Sequence, residues 1–327
     1  MLVLKLVVGL ITGGIVLALI AAGITLLISA RIAARYPPAG PFVPVTGGRI
    51  ATIQAGQNPS QRGTVVLLHG ASANAADPMA ELGRGLAREG FRVIALDRPG
   101  FGWSDRLSGA SMGTPKAQAD AVAEALSALG TGPAIVLGHS WSGALATALA
   151  LDHPTAVAGL VLVSPVVMPL PDPGPIPWFY RLALKPPVTW LLSRTLATPV
   201  GLYFLPRVGR TVFQPQEAPA GYLESSRAAL VLRPGTMLAN VQDLIGLPAA
   251  LQAQSQRYGE ITAPTVIVTG DRDGIVPAAR HARPLAERIP NARLVVLPGI
   301  GHMVHVVAAA AVIDAVARLS EQVAAAH

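Results

Sequence analysis

Apolar and polar positions along this chain fall into three kinds of block, and the first is a single long one. From Leu6 to Ala30 there are 25 residues without a charge, flanked by Lys5 on one side and by Arg31 and Arg35 on the other. As a helix they would extend ~37 Å, enough to cross a ~30 Å hydrocarbon core with some tilt. A secretory signal has a shorter apolar region that ends at a small-x-small cleavage site, which is not evident here. Residues 1–35 therefore predict a retained single-pass membrane anchor. Lys5 with the amino terminus nearly balances Arg31 with Arg35, so the flanking charges leave the orientation open. Pro37, Pro38, Gly40, Pro41 and Pro44 then predict a short, stiff stalk.

The second kind is the short apolar run, and the third is the amphipathic stretch of helical period that follows it. Runs at 64–68, 92–96, 134–137, 157–163, 265–269 and 293–297 read as buried strands. Helices are predicted at about 75–89, 115–129, 142–152, 278–289 and 306–323. Ahead of them, Phe42 to Thr46 and Arg49 to Gln54, split by Gly47-Gly48, predict an antiparallel hairpin. Strand–helix alternation argues an α/β fold with a mostly parallel, doubly wound sheet. The alternation divides the core into 36–165 and 260–327, separated by an insert at 166–259. The insert opens on Pro169, Pro171, Pro173, Pro175, Pro177, Pro186 and Pro187, which forbid long regular helix there, while 221–232 and 237–253 look helical.

Composition narrows the chemistry. The chain has 327 residues, enough for one large domain and an insert. It has no cysteine, so a thiol nucleophile, a disulfide and a thiolate metal site are all excluded. The formal charge is +7, carried mostly by scattered arginine with no long basic run. That pattern suits an anionic lipid surface better than nucleic acid.

Candidate chemistry clusters at the C-terminal ends of predicted strands, where open α/β sheets form their sites. The strand Ala134 to Leu137 runs through Gly138-His139 into Ser140, and a helical pattern begins at once after Trp141-Ser142-Gly143. A serine on so sharp a turn stands proud of the sheet edge, with the N–H groups of a helix start behind it. This pattern resembles the nucleophile elbow of the α/β-hydrolase superfamily, with one departure: Ser142 stands where the last glycine is usual, and Gly143 follows. A nucleophilic serine needs a base, and the base needs an acid to hold its tautomer. The resemblance implies the order serine, acid, histidine, met here by Ser140, Asp273 and His302. It puts the acid three residues after the strand-end Gly270, which is Asp273, and leaves Asp271 to cap the loop or pair with an arginine. His302 follows a Gly-x-Gly turn, as the family's base does, and His305 is assigned to the pocket or the surface. His153 is expected at a helix end, and His281 in a surface helix.

The resemblance extends to three further segments. It implies an oxyanion hole built from the N–H groups of Ala71, after His69-Gly70, and of Trp141. His69 is expected to fix that loop by hydrogen bonding. In Asp97-Arg98-Pro99-Gly100-Phe101-Gly102 it implies a structural loop beneath the site, with Asp97 and Arg98 pairing locally. It also makes the insert a lid, in which Trp178, Phe179, Tyr180, Trp190, Tyr203 and Phe204 are each expected to pack and together to predict an apolar substrate.

The expectation is a membrane-anchored serine hydrolase that cleaves a small-molecule apolar ester, with the lipid bilayer as its partner through the N-terminal helix. It needs no metal or organic cofactor and binds no nucleic acid. Amidase, thioesterase, acyltransferase and carbon–carbon hydrolase chemistry would use the same triad. A reading from a different class, a non-catalytic ligand-binding or accessory protein on this fold, is kept open by Ser142, since a displaced elbow would disarm the serine.

Overall fold

The computed structural model describes residues 1–169 and 182–325. Its eight strands are β1 (Phe42–Val45), β2 (Gly48–Ala55), β3 (Thr64–Leu68), β4 (Arg92–Leu96), β5 (Ala134–His139), β6 (Val157–Val163), β7 (Thr265–Gly270) and β8 (Ala292–Leu297). They form one sheet in the order β1-β2-β4-β3-β5-β6-β7-β8. The β1–β2 and β2–β4 pairs are antiparallel, and every later pair is parallel.

Successive residues of a strand face opposite sides, so each apolar strand feeds two cores. Val66 and Leu68 join one cluster with Val122 and Leu126 of a helix at Pro115–Ala128 (α3) and Leu145 and Leu149 of one at Ser142–Asp152 (α4). Val65 and Leu67 join the other, with Leu82 and Leu86 of a broken helix at 76–88 (α2) and Val312, Val316 and Leu319 near the C-terminus. Burial of each such side chain is worth roughly 1.5–3 kcal/mol, which is why both sheet faces are covered. The chain leaves β3 in one direction and returns past it to β5, so the winding reverses between β3 and β5. A crevice opens at that switch point beyond the strand ends.

The N-terminal helix α1 runs over Leu2–Arg35, and among its residues only Thr25 and Ile32 are buried. It is long and apolar enough to cross a membrane. The stalk predicted after it does not stand off. Tyr36 is buried, and its carbonyl accepts a hydrogen bond from Trp103 Nε1 at 2.9 Å. The Pro37 carbonyl accepts one from Arg227 at 2.7 Å, and that of Pro41 one from the Thr52 N–H at 3.0 Å. Proline stiffens this segment, but these contacts tie it down.

Between β6 and β7, helices α5 (Pro186–Thr195), α6 (Ala197–Phe213), α7 (Tyr222–Ser225) and α8 (Pro234–Gln254) form the insert. The prolines 186 and 187 open α5 instead of breaking it, because the first helical positions need no intrahelical N–H. Helix α6 was not anticipated from the sequence; it carries Pro206 in its interior. Trp178, Phe179 and Tyr180 lie outside the described residues. Trp190 and Tyr203, expected to pack, are half exposed and mostly exposed (50% and 79%), and Phe204 alone of the remaining aromatics reaches the cavity described below.

His281 departs from the surface position expected of it. It is buried, and its Nδ1 accepts the N–H groups of Met168 and Val167 at 3.1 and 3.3 Å, where the insert leaves β6. Burial, with Arg280 nearby, lowers its pKa from 6.5 to about 4. The unfolded chain thus takes up this proton at higher pH than the folded one does. Its contribution to stability is complete above about 6.5 and is lost as the pH falls toward 4. Thermal unfolding should show the midpoint falling across that window, with a shallower fall in His281→Gln; an identical slope in the variant would remove His281 from the account.

Candidate active site

Ser140 follows β5 with φ +53°, a left-handed conformation that L-residues seldom adopt. Its N–H donates to the Val163 carbonyl at 3.0 Å, and its own carbonyl accepts from Gly143 at 2.8 Å and Val166 at 2.9 Å. The turn has room for glycine alone at two places. A Cβ on Gly138 would lie 2.3 Å from the Ser142 carbonyl oxygen, and one on Gly143 would lie 2.5 Å from Pro165 Cβ. Ser142 is buried between them and donates its hydroxyl to the His69 carbonyl at 2.5 Å. The tight crossing therefore falls at Gly143, and a small hydroxyl side chain at 142 leaves the elbow formed.

Three strand ends bring the predicted triad residues together. The His302 ring places Nε2 3.1 Å from Ser140 Oγ and Nδ1 2.8 Å from Asp273 Oδ2. Both separations are within the range for a working nucleophile–base–acid chain. Asp273 is buried, and its Oδ1 accepts the N–H groups of Ile275 and Val276 at 2.9 and 2.7 Å. A carboxylate can only accept, so Nδ1 carries the proton and the bare Nε2 faces the serine. Asp271 caps the His302 loop through the Gly299 N–H at 2.6 Å. A residue of the insert that sequence reasoning missed, Gln216, clamps the same loop by donating to the Gly299 carbonyl at 2.6 Å and accepting from the Gly301 N–H at 2.9 Å.

The loop after β3 lies across the elbow: a Cβ on Gly70 would be 3.2 Å from Ser140 Cβ. The Ser72 N–H donates to Asn240 of α8. Among the described residues, the N–H groups of Ala71 and Trp141 have no hydrogen-bond partner, and both residues sit beside Ser140. Free backbone donors of this kind suit a developing oxyanion. His69 holds the loop as expected of it, accepting the Arg98 N–H at Nε2 at 3.0 Å, and burial keeps its pKa well below 6.5.

Beneath the loop, the expected local pairing of Asp97 with Arg98 does not occur. Asp97 accepts the N–H groups of Ala75 and Trp103 at 2.7 and 2.8 Å, and burial raises its pKa to about 6. Arg98, fully buried, donates to the carbonyls of His69 and Gly70 and to Asp243 of α8 at 2.6 Å. Its guanidinium lies over the rings of Trp141 and Phe101 at 4.1 and 4.2 Å. The Asp97 oxygens are taken by those two backbone N–H groups, so the buried guanidinium finds its counter-charge 145 residues away in sequence.

A second polar chain lies in the cavity wall. His305, fully buried, bonds Asp77 Oδ2 at 3.1 Å, and the hydroxyl of Tyr222 in the insert donates to Asp77 Oδ1 at 2.7 Å. Burial raises the Tyr222 pKa, with the Asp77 charge adding to it. For Asp77 itself, burial works upward, but the His305 charge and these hydrogen bonds outweigh it and hold the carboxyl low. The His139 ring packs on both His305 and His302, and burial keeps its pKa well below 6.5. Neither Asp77 nor Tyr222 carries a motif; their spacing of 145 residues hides the pair.

Ser140, His302 and Ala71 open into a cavity of about 430 Å³, roofed by Leu205, Val208, Val212 and Leu232 of the insert and floored by Met303. Among the described residues none of its lining is lysine or arginine.

This sheet, elbow and hydrogen-bonded Ser-His-Asp chain belong to a recognised class. A family model for the alpha/beta hydrolase fold matches residues 63–309, and the chain belongs to that family. It is 32% identical over 250 residues to a 2-hydroxy-6-oxononadienedioate/2-hydroxy-6-oxononatrienedioate hydrolase of Pseudomonas putida, covering 73% of this chain and 81% of the relative. Its fold is similar to that of an esterase from Exiguobacterium antarcticum, with a TM-score of 0.68 at 22% identity over 86% of this chain and 99% of that one. It is also similar in fold to a membrane phospholipase A described as a bacterial virulence factor, with a TM-score of 0.63 at 22% identity over 96% of this chain and 98% of that one.

Proposed function

We propose that this chain is a membrane-anchored serine hydrolase that cleaves carboxylic esters with an apolar acyl or alcohol group. The observation that carries the reading is the continuous chain Asp273–His302–Ser140 opening into a cavity walled by aliphatic side chains. His302 Nε2 takes the proton of Ser140 Oγ as that oxygen attacks the ester carbonyl carbon. The negative charge passes to the carbonyl oxygen and rests on the N–H groups of Ala71 and Trp141, each worth ~3 kcal/mol. The C–O bond to the alcohol then breaks, and the alcohol leaves with the proton from His302. Water, deprotonated by His302, attacks the acyl carbon; the bond to Ser140 Oγ then breaks, Oγ takes the proton back from His302, and the carboxylic acid is released. Asp273 stabilises the imidazolium throughout.

One feature favours this substrate class over others. By its name the Pseudomonas putida relative acts on a dienedioate, and a dianion needs cations that this cavity lacks among its described lining residues. The anchor reading draws on the length and hydropathy of α1. It also draws on a match to the membrane phospholipase that covers 96% of the chain, too much to leave all 34 residues of α1 outside.

The test is a p-nitrophenyl ester series on the full chain in detergent. A cavity of about 430 Å³ predicts that kcat/KM rises from acetyl to a medium or long acyl chain by at least tenfold. A flat or falling series would overturn the apolar-substrate reading, and no turnover of any ester would overturn the ester-hydrolase reading.

A further inference from the structure

The anchor helix and the lid are in direct contact, and the level of that contact is informative. Thr25, the most deeply buried residue of α1, donates its hydroxyl to the Thr195 carbonyl at the end of α5 at 2.5 Å. A ~30 Å hydrocarbon core centred on the uncharged stretch 6–30 takes in roughly residues 8–28 at 1.5 Å per residue. Thr25 then lies about 4 Å inside the boundary, and tilting the helix only lengthens the immersed part. On its other faces at this level, α1 exposes Leu26 and Leu27 (67% and 53%), side chains suited to lipid.

The outer surface of the lid matches that depth. Trp190, Leu196, Val200 and Tyr203 are all at least half exposed, on the segment joined to α1. Between Leu182 and Phe213 the chain carries Lys185, Arg194, Arg207 and Arg210 and no acidic residue. Exposed apolar residues set among cations characterise a helix that lies in the membrane interface, its apolar side ~5–10 Å deep.

Helix α6 also has an inner side. Gly201, Leu205, Gly209 and Val212 line the cavity above Ser140, while Phe204 and Val208 line it and are at the same time exposed, at 42% and 54%. Those two residues form a lip shared by the cavity and the outer apolar surface.

We propose that α5 and the N-terminal half of α6 are seated in the bilayer, and that the substrate is a membrane-resident ester whose acyl chain passes over the Phe204–Val208 lip to Ser140 without crossing water. The proposal rests on the anchor reading of α1 and deepens it. The docking occupant is the lipid bilayer, argued from continuity with α1 and from the charge pattern.

The absence of native cysteine makes single-site labelling clean. Cysteine is placed at Ile11 on α1, at Tyr203 on the lid, or at Glu321 on the far side of the core. Each full-length chain carries a nitrobenzoxadiazole label and is reconstituted into phosphatidylcholine–phosphatidylglycerol vesicles. The expected result is strong quenching by doxyl lipid and weak quenching by iodide at 11 and 203, with the reverse at 321. A label at 203 as open to iodide as that at 321, with 11 inserted, overturns the docking alone. Failure of 11 to insert overturns the anchor and the docking together. In the catalytic arm, Tyr203→Asp should lower turnover of a vesicle-borne long-chain ester at least tenfold while leaving a short soluble ester within twofold. Equal effects on both substrates overturn the lipid-side route. A parent chain inactive on both removes the ester-hydrolase reading, and the labels still decide the docking.

Discussion

Ser140→Ala is expected to lower ester turnover by a factor of ~10⁴ or more while leaving the folded structure and thermal midpoint in place. The elbow is held by its backbone, through the Ser140 N–H to Val163 and the Ser140 carbonyl to Gly143 and Val166. Alanine keeps those bonds, and its Cβ is tolerated at φ +53° as well as that of serine. Only the hydroxyl is lost, and with it the atom that His302 Nε2 faces at 3.1 Å. Residual rate over water comes from the unpaired backbone donors and from binding. The check is a fluorophosphonate probe with a parallel rate measurement: the parent labels and the variant does not. Near-normal turnover in a folded variant would falsify the nucleophile assignment, whereas a folded parent that neither labels nor turns over would favour the binding-protein alternative.

The largest stability effect is expected at Asp243. This carboxylate is fully buried in α8 and meets Arg98 at 2.6 Å and Arg106 at 2.7 Å, while Gln118 donates to it at 2.9 Å. Arg98 has no exposure of its own, and burial lowers its pKa to about 10 despite the nearby carboxylate. Asp243→Ala leaves that guanidinium buried without a counter-charge, a change that costs about 3–5 kcal/mol. At ~2–4 °C per kcal/mol the midpoint should fall by roughly 10 °C. Activity of the surviving folded fraction should fall too, because Arg98 holds the carbonyls of His69 and Gly70 ahead of the Ala71 N–H. Arg106→Ala should cost less, since Arg106 is partly open to solvent and Asp243 keeps Arg98. Pairing Asp243→Leu with Arg98→Met should recover part of the loss, which a double-mutant cycle by calorimetry would register. An Asp243→Ala midpoint within 2 °C of the parent would show that the network is not a structural tie between lid and core.

The amino-acid sequence determines what local pattern can encode. Short apolar runs followed by helical patterns specify strand–loop–helix units, and after β5 the turn Gly138-His139-Ser140 leads straight into a helix at Ser142. Each unit names its own chemical residue: Ser140 after β5, Asp273 after β7 and His302 after β8. The 25 uncharged residues of α1 are legible for the same reason, because length and hydropathy are properties of one continuous stretch.

Tertiary structure decided everything that depends on partners far apart in the chain. No periodicity links Arg98 to Asp243, Asp77 to Tyr222, or Gln216 to the loop of His302, yet each pair ties the insert to the core by a hydrogen bond. His281 looked like a surface residue because nothing local says that Val167 and Met168 will present two N–H groups to it. The lid's aromatic residues looked like packing because a sequence does not say which side of a helix meets α1, which meets the cavity and which meets neither. Burial is a property of the assembled fold, and the energy that selects these partners appears only when water has been excluded from both of them.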